Sequence, residues 1–250
     1  MTELLKNLNC VVTGGSRGIG KAIAEAYAEN GANVIITYIN NHQKADETVN
    51  ILKNYGVKAY AFKCNAGDEN DVLLLKKFTE DKFGKINILV NNAGTIGKEC
   101  PVTELPTEEW DRVMNVDVRG VFLSVKHLVP LFDTKNIGKI INISSELSVK
   151  GRANYVHYTA AKGAVNSMTR SLALELAPNI LVNTIAPGPI ETDMILKDMS
   201  EEWIQKEKDI PLKRLGNVKD ISALAVLLAS KYGNFYCGQF ISPNGGAAFI

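Results

Sequence analysis

The sequence predicts an α/β fold in which a parallel sheet is covered by helices on both faces. Three observations predict it. Short Val- and Ile-rich runs alternate with longer stretches whose apolar residues recur at helical spacing. The short runs are apolar at consecutive positions, as strands buried on both faces are. No Pro/Gly-rich, low-complexity or charge-run segment divides the chain.

The elements follow in order. "CVVTG" from Cys10 reads as the first strand, and "GKAIAEAYAEN" from Gly20 as the helix after it. "NVIITY" from Asn33 and "KAYAFKC" from Lys58 read as the next two strands. "NDVLLLKKFTEDKFG" from Asn70 is a helix with apolar residues at 3–4 spacing. "INILVNN" from Ile86 and "GKIINIS" from Gly138 are the fourth and fifth strands, and a long helix spans Asn154 to Ala177. "ILVNTIAP" from Ile180 and "GQFISPNGG" from Gly238 complete the set. A polar, helix-like insert, Met194 to Gly216, follows the sixth strand. An excursion of that length after a strand's carboxyl end acts either as a lid or as a surface helix pair.

Composition excludes several classes. The chain has 250 residues, 46% of them hydrophobic, and a net charge of +1, which argues against wholesale binding to nucleic acid or anionic membrane. No run approaches the roughly 18–20 apolar residues of a membrane span. "MTELLKNLNC" lacks the basic and apolar parts of a secretory signal, so a cytoplasmic location is expected. Cys10, Cys64, Cys100 and Cys237 are scattered, and the histidines are only His42, His127 and His157. Metal-ligand spacing is missing, no metal is expected, and the thiols are expected to be unpaired.

"TGGSRGIGKAIAEA" sets Gly14, Gly18 and Gly20 in the spacing GxxxGxG between a strand and a helix, with Ser16, Arg17 and Ile19 among them. Such a loop lets backbone amides and a helix N-terminus approach a phosphate. Gly15 to Lys21 also fits the start of a triphosphate-binding loop, but Ala22 stands where that motif needs Ser or Thr for Mg²⁺. For a dinucleotide, an acidic residue about 20 positions on would bind the ribose of NAD. Gly31 to Ala45 holds no Asp or Glu, and Tyr38 stands at the expected place. Arg17, Asn40 and Asn41 suit a 2′-phosphate instead, so NADPH is expected over NADH.

In "YVHYTAAK", Tyr155–Lys162, only Tyr158 has a cation four residues on. Residues at that offset share a helix face. A tyrosine of pKa about 10 is a poor base at neutral pH, and the Lys162 ammonium is expected to lower that value. The pair then exchanges a proton with an alcohol or carbonyl oxygen. Ser145, thirteen residues before Tyr158, is placed to bond the same oxygen, with Ser144 as its rival. The alternative is an ordinary exposed Tyr–Lys pair beside loop serines.

"TGGSRGIG" (Thr13–Gly20), "NNAG" (Asn91–Gly94), Ser145, "YTAAK" (Tyr158–Lys162) and "APGPIET" (Ala186–Thr192) together resemble the short-chain dehydrogenases/reductases from Leu8 onward. Within that family the chain looks most like the 3-oxoacyl-carrier-protein reductases and their relatives acting on sugars, steroids and small ketones. The resemblance implies a single-domain, doubly wound Rossmann fold with a seven-stranded parallel sheet in the order 3-2-1-4-5-6-7. It implies Tyr158 as general acid/base, Lys162 tuning it and holding the nicotinamide ribose, and Ser145 orienting the substrate oxygen. Asn65, Ala66, Asn91, Ala93 and Gly94 would contact the adenine side of the cofactor. Pro187, Gly188, Ile190 and Thr192 would cover the nicotinamide. It also implies a homotetramer, with helices around Trp110–Phe132 and Tyr155–Ala177 at one interface and the C-terminal segment at another.

Three positions depart from the family pattern. Asp117 stands seven residues after Trp110, where the family has a catalytic asparagine. That residue acts largely through its main chain, so Asp117 is expected to leave the role intact; the alternative is a pair with Lys162 that changes the pH profile. Asn65 replaces the usual Asp and is expected to accept from the adenine amine through its carbonyl oxygen. "APNILVN" is one residue short before the sixth strand, a surface matter.

The expected function is NADPH-dependent, reversible reduction of a ketone, either a 3-oxoacyl thioester or a small carbonyl compound, to a secondary alcohol. The alternatives are a sugar, polyol or steroid alcohol dehydrogenase, or an inactive cofactor-binding regulator. A carrier-protein substrate would use a basic patch from Lys135, Lys139, Lys150 and Arg152. Met194, Ile195, Met199 and Trp203 of the insert suit a partly apolar substrate.

Overall fold

The computed structural model describes residues 3–192 and 200–249. Seven strands form one sheet: β1 Asn9–Val12, β2 Asn33–Tyr38, β3 Ala59–Lys63, β4 Ile88–Asn91, β5 Gly138–Ile143, β6 Ile180–Ile185 and β7 Phe240–Ile241. Every pairing is parallel, and the order is β3-β2-β1-β4-β5-β6-β7, as the resemblance implies. The order reverses between β1 and β4, so the crevice lies beyond the carboxyl ends of those strands.

Strand periodicity explains why the runs are apolar throughout. In β1, Cys10 and Val12 enter one core with Val34, Ile36, Ile88 and Val90. Val11 enters the other with Ile35, Leu89, Ile140 and Val182. Successive side chains alternate faces, and here both faces are covered. Each fully buried Val, Leu or Ile contributes about 1.5–3 kcal/mol relative to exposure.

The covering helices are α1 Gly18–Glu29, α2 His42–Lys53, α3 Glu69–Phe83, α4 Thr107–Met114, α5 Gly120–Leu128, the short α6 Leu147–Lys150, α7 Val156–Leu176, α8 Glu201–Lys208 and α9 Val218–Ala229. Side chains set several of their starts. Asp68 accepts from the amides of Asn70 and Asp71 at the head of α3, and Asn217 and Asp220 form a capping box on α9. Between α4 and α5 lies one π-helical turn, Asn115–Arg119, with Asp117 buried in it. Such turns often mark functional positions.

Two details differ from expectation. The last strand shrinks to two residues because Gly238 has φ +70° and Pro243 lacks an amide donor. Of the insert, Met194, Ile195 and Met199 lie outside the described residues. Its far end is joined to its near end: the Glu191 amide donates to the Gly216 carbonyl at 2.8 Å, and the Gly216 amide to that of Pro189 at 2.8 Å.

The basic patch is corrected as well. Lys139 is buried in β5, where its Nζ donates to Asn234 Oδ1 at 2.7 Å. Burial pulls its pKa down to about 8. An unfolded lysine keeps its proton to about pH 10.4, so the unfolded chain binds more protons above pH 8 and stability rises with pH there. The urea midpoint is expected to climb between roughly pH 8 and pH 10, and Lys139→Met to flatten the climb. Equal slopes in the two proteins would refute this account.

Candidate active site

The loop after β1 is shaped by Gly14, at φ +65°, where an added Cβ would sit 2.9 Å from the Ala93 Cα. Thr13 Oγ1 accepts from the amides of Asn92 at 2.9 Å and Ala93 at 3.0 Å. Asn92 Nδ2 donates back to the carbonyls of Thr13 and Gly14. The loops after β1 and β4 are thereby held together. Arg17, the N-cap of α1, makes no side-chain cap, so the first amides of α1 remain open to an anion.

From this loop a cavity of about 850 Å³ runs across the carboxyl ends of the strands. One end is lined by Ser16, Arg17, Gly18, Ile19 and Gly20, facing Tyr38, Asn40, Asn41 and Lys44. Among the described residues no carboxylate lines this end of the cavity, while the recess beside it, which shares Ser16, Arg17, Gly18 and Lys44, carries Glu25, Glu47 and Glu191. Tyr38 is held by His42, its hydroxyl 2.8 Å from Nδ1, and Asn41 Oδ1 caps α2 by accepting from the Lys44 amide. The middle is lined by Gly14, Ala66, Ala93 and Gly94. The far end holds Ser145, Tyr158 and Lys162 beneath Pro187, Gly188, Ile190 and Thr192. A glycine cradle, free helix amides and the Arg17 cation fit a phosphorylated dinucleotide.

Two expected cofactor residues do not line the cavity. Asn91 ends β4 pointing inward, where its Nδ2 donates to Asn142 Oδ1 at 2.8 Å. Its neighbour Asn92 takes the cavity position. Asn65 Oδ1 accepts from the Gly67 amide at 3.2 Å, so the oxygen expected to meet an adenine closes a local turn instead.

At the far end, Tyr158 and Lys162 lie one turn apart on α7, with Nζ 5.6 Å from the Tyr158 ring centre. Lys162 Nζ donates to the Ile143 carbonyl at 3.3 Å. Asp117 does not line the cavity; it sits behind Lys162, its Oδ2 2.9 Å from Nζ and its Oδ1 accepting from the Thr95 amide at 2.8 Å. An added Cβ on Gly94 would lie 2.9 Å from Asp117 Oδ2 and 3.1 Å from Lys162 Nζ, so only glycine fits over the pair. Of the two expectations for Asp117, the pair with Lys162 is the one the geometry forms: its carboxylate neutralises the lysine. The signal was available, because a buried lysine needs a counter-charge.

The electrostatics also differ from expectation. Burial opposes the Lys162 charge, but Asp117 and Tyr158 outweigh it and hold the pKa above the ordinary lysine value. For Tyr158, burial raises the pKa, Lys162 lowers it, and Asp117 raises it again; the Ser145 hydrogen bond lowers it and Glu146 raises it. The net result lies above an ordinary phenol, not below. Tyr158 is therefore a fully protonated acid at neutral pH.

Ser144 Oγ donates to the Lys162 carbonyl at 3.0 Å, which ties α7 to the end of β5. Ser145 Oγ donates to Glu146 Oε2 at 2.9 Å and accepts from the Leu147 amide at 3.2 Å. Sequence reasoning passed over Glu146, which lines the cavity and is buried; burial raises its pKa against the Ser145 hydrogen bond. Glu207 on α8 lines it too, paired at 2.7 Å with Arg152. The Arg152 guanidinium lies 4.9 Å from the Trp203 ring centre and 5.3 Å from that of Tyr155. Tyr155 is buried and stacks against His157, away from the cavity.

A family model described as enoyl-(acyl carrier protein) reductase matches residues 14–248. A glucose 1-dehydrogenase of Bacillus subtilis is 36% identical over 98% of this chain and 96% of its own length. A 3-oxoacyl-[acyl-carrier-protein] reductase of Staphylococcus epidermidis is likewise 36% identical, over 96% and 98%. The crystal structure of a short-chain dehydrogenase from Burkholderia cenocepacia in complex with NADP superimposes with a TM-score of 0.92 at 31% identity, covering 98% of this chain and 99% of that one.

Proposed function

We propose, from the premise that this chain belongs to the short-chain dehydrogenase/reductase family, that it uses NADPH to reduce a ketone to a secondary alcohol. The observation that carries the reading is the convergence of Ser145, Tyr158 and Lys162 at one end of a cavity whose other end offers α1 amides and Arg17. The bound cofactor supplies hydride. Ser145 and Tyr158 hold the substrate oxygen, and Tyr158 delivers its proton as negative charge builds there. Lys162, kept charged by Asp117, stabilises the phenolate that remains. Reduction uses the Tyr158 proton, whereas alcohol oxidation needs the phenolate first. NADPH oxidation with a panel of ketones tests the reading; cofactor binding without turnover would favour an inactive regulator.

The cofactor preference rests on Arg17. Arg17→Ala is expected to lower kcat/KM with NADPH by roughly ten- to hundredfold, the worth of a hydrogen bond to a charged group, and to leave NADH little changed. A parent enzyme that prefers NADH would sink the assignment.

We further assign residues 194–216 as a lid. The joined ends at Pro189–Glu191 and Gly216, and the Arg152–Glu207 pair that fastens α8 beside the cavity, support it. Phe122 on α5, Leu174 on α7 and Phe249 near the C-terminus are exposed apolar side chains on the surfaces expected to meet in a homotetramer. Cys10, Cys64, Cys100 and Cys237 are free thiols, which suits the cytoplasm. The two relatives, equally identical to this chain, act by their names on glucose and on an acyl-carrier substrate, so likeness does not choose between those classes.

A further inference from the structure

We infer that Glu146 is a specificity-determining residue, selecting ketones that carry a hydroxyl on the carbon next to the carbonyl. The inference rests on the reductase reading above and names its substrate class.

Ser145 and Tyr158 mark where the substrate oxygen sits. Glu146 Oε2 lies 2.9 Å from Ser145 Oγ, one hydrogen bond along from that point. The separation is close to that of gauche oxygens on adjacent carbon atoms. The single Ser145 proton, now given to Glu146, must turn to the carbonyl oxygen when substrate binds, and a vicinal hydroxyl would then take its place on Glu146 Oε2. Glu146 is only 5% exposed, so it is part of the wall and not a solvated rim charge. Glu146 Oε2 is an acceptor here, taking the Ser145 proton, so the group that replaces Ser145 must bring a proton.

An alkyl or acyl chain at the same place would cover that carboxyl group without bonding it. Sites built to bond a hydroxyl reject analogues lacking one, because the buried polar group is left without a partner. The next part of the wall is equally polar. Arg152 and Glu207 line the cavity as a pair, with side chains only 17% and 16% exposed. A donor and an acceptor held there suit further hydroxyls and give an acyl chain little to bury against.

The test compares hydroxyacetone with butanone, which differ by a hydroxyl in place of a methyl at the carbon in question. With saturating NADPH, the parent is expected to show a kcat/KM ratio of about tenfold or more in favour of hydroxyacetone, the worth of one hydrogen bond to a charged group. In Glu146→Leu the ratio is expected to collapse toward unity. Glu146→Gln, whose amide oxygen still accepts, is expected to keep a part of it. NADPH affinity and thermal midpoint, measured on each variant, separate selectivity from misfolding. A parent without the preference, or a ratio unchanged in both variants, overturns the inference and leaves the reductase reading standing. A preference for aminoacetone over hydroxyacetone also overturns it, in favour of a cationic group. Turnover of neither ketone while another ketone of the panel is reduced overturns the inference, and turnover of no ketone in the panel with either nicotinamide cofactor overturns the reductase reading itself.

Discussion

Tyr158→Phe is expected to lower kcat for ketone reduction by about 10²–10⁴-fold, the usual contribution of a positioned general acid, while NADPH still binds. The ring stays, so its packing and the nearby Lys162 stay; the single proton that the product alcohol needs is lost. Ser145 cannot replace it, because an aliphatic hydroxyl is far less acidic than a phenol. Tyr155→Phe is the internal control. Tyr155 is buried against Arg152 and His157, and its removal should leave the rate within a few-fold of the parent. NADPH affinity by fluorescence titration and single-turnover reduction separate binding from chemistry. A dead Tyr155→Phe beside an active Tyr158→Phe would overturn the assignment.

Asp117→Asn is the second large change. The substitution keeps an oxygen for the Thr95 amide but removes the charge opposite Lys162. Breaking a buried pair from one side costs about 3–5 kcal/mol, because the remaining charge has lost its partner. The variant is therefore expected to unfold at markedly lower denaturant. Its pH profile moves too. Reduction needs Tyr158 protonated, so kcat/KM is flat below the Tyr158 pKa and falls above it. Asp117 is one of the groups that raise that pKa. Without its charge the fall begins at lower pH, and the rise of alcohol oxidation with pH moves the same way. A merely structural role would lower stability and leave both limbs in place. A rise in kcat of tenfold or more at neutral pH would show that the carboxylate slows proton delivery by Tyr158.

How far the sequence reads depends on whether a property is local. The sheet was legible because burial on both faces leaves consecutive apolar residues in β1, β2, β4, β5 and β6. The Tyr158–Lys162 spacing was legible because a helix converts an offset of four into proximity. Side-chain direction just past a strand end was not. Asn91 and Asn92 are identical letters, yet the pleat sends one into the sheet and lets the other reach the glycine loop. Asn65 had a nearer partner, the Gly67 amide, than any that spacing suggests. The Asp117–Lys162 pair joins a π-helical turn to α7 across forty-five residues, which no local pattern reports. The direction of the Tyr158 shift was unreadable for a similar reason: desolvation is set by what the whole fold packs around the ring.

The stacking of Arg152 on Trp203 has a practical consequence. The chain has two tryptophans, Trp110 in α4 and Trp203 in α8. The guanidinium over the Trp203 indole belongs to the loop between α6 and α7, so movement of the proposed lid would change the ring's surroundings. With Trp110 replaced by Phe, the intrinsic fluorescence of the protein becomes a label-free test of the proposed lid, readable in a stopped-flow trace alongside the nicotinamide signal.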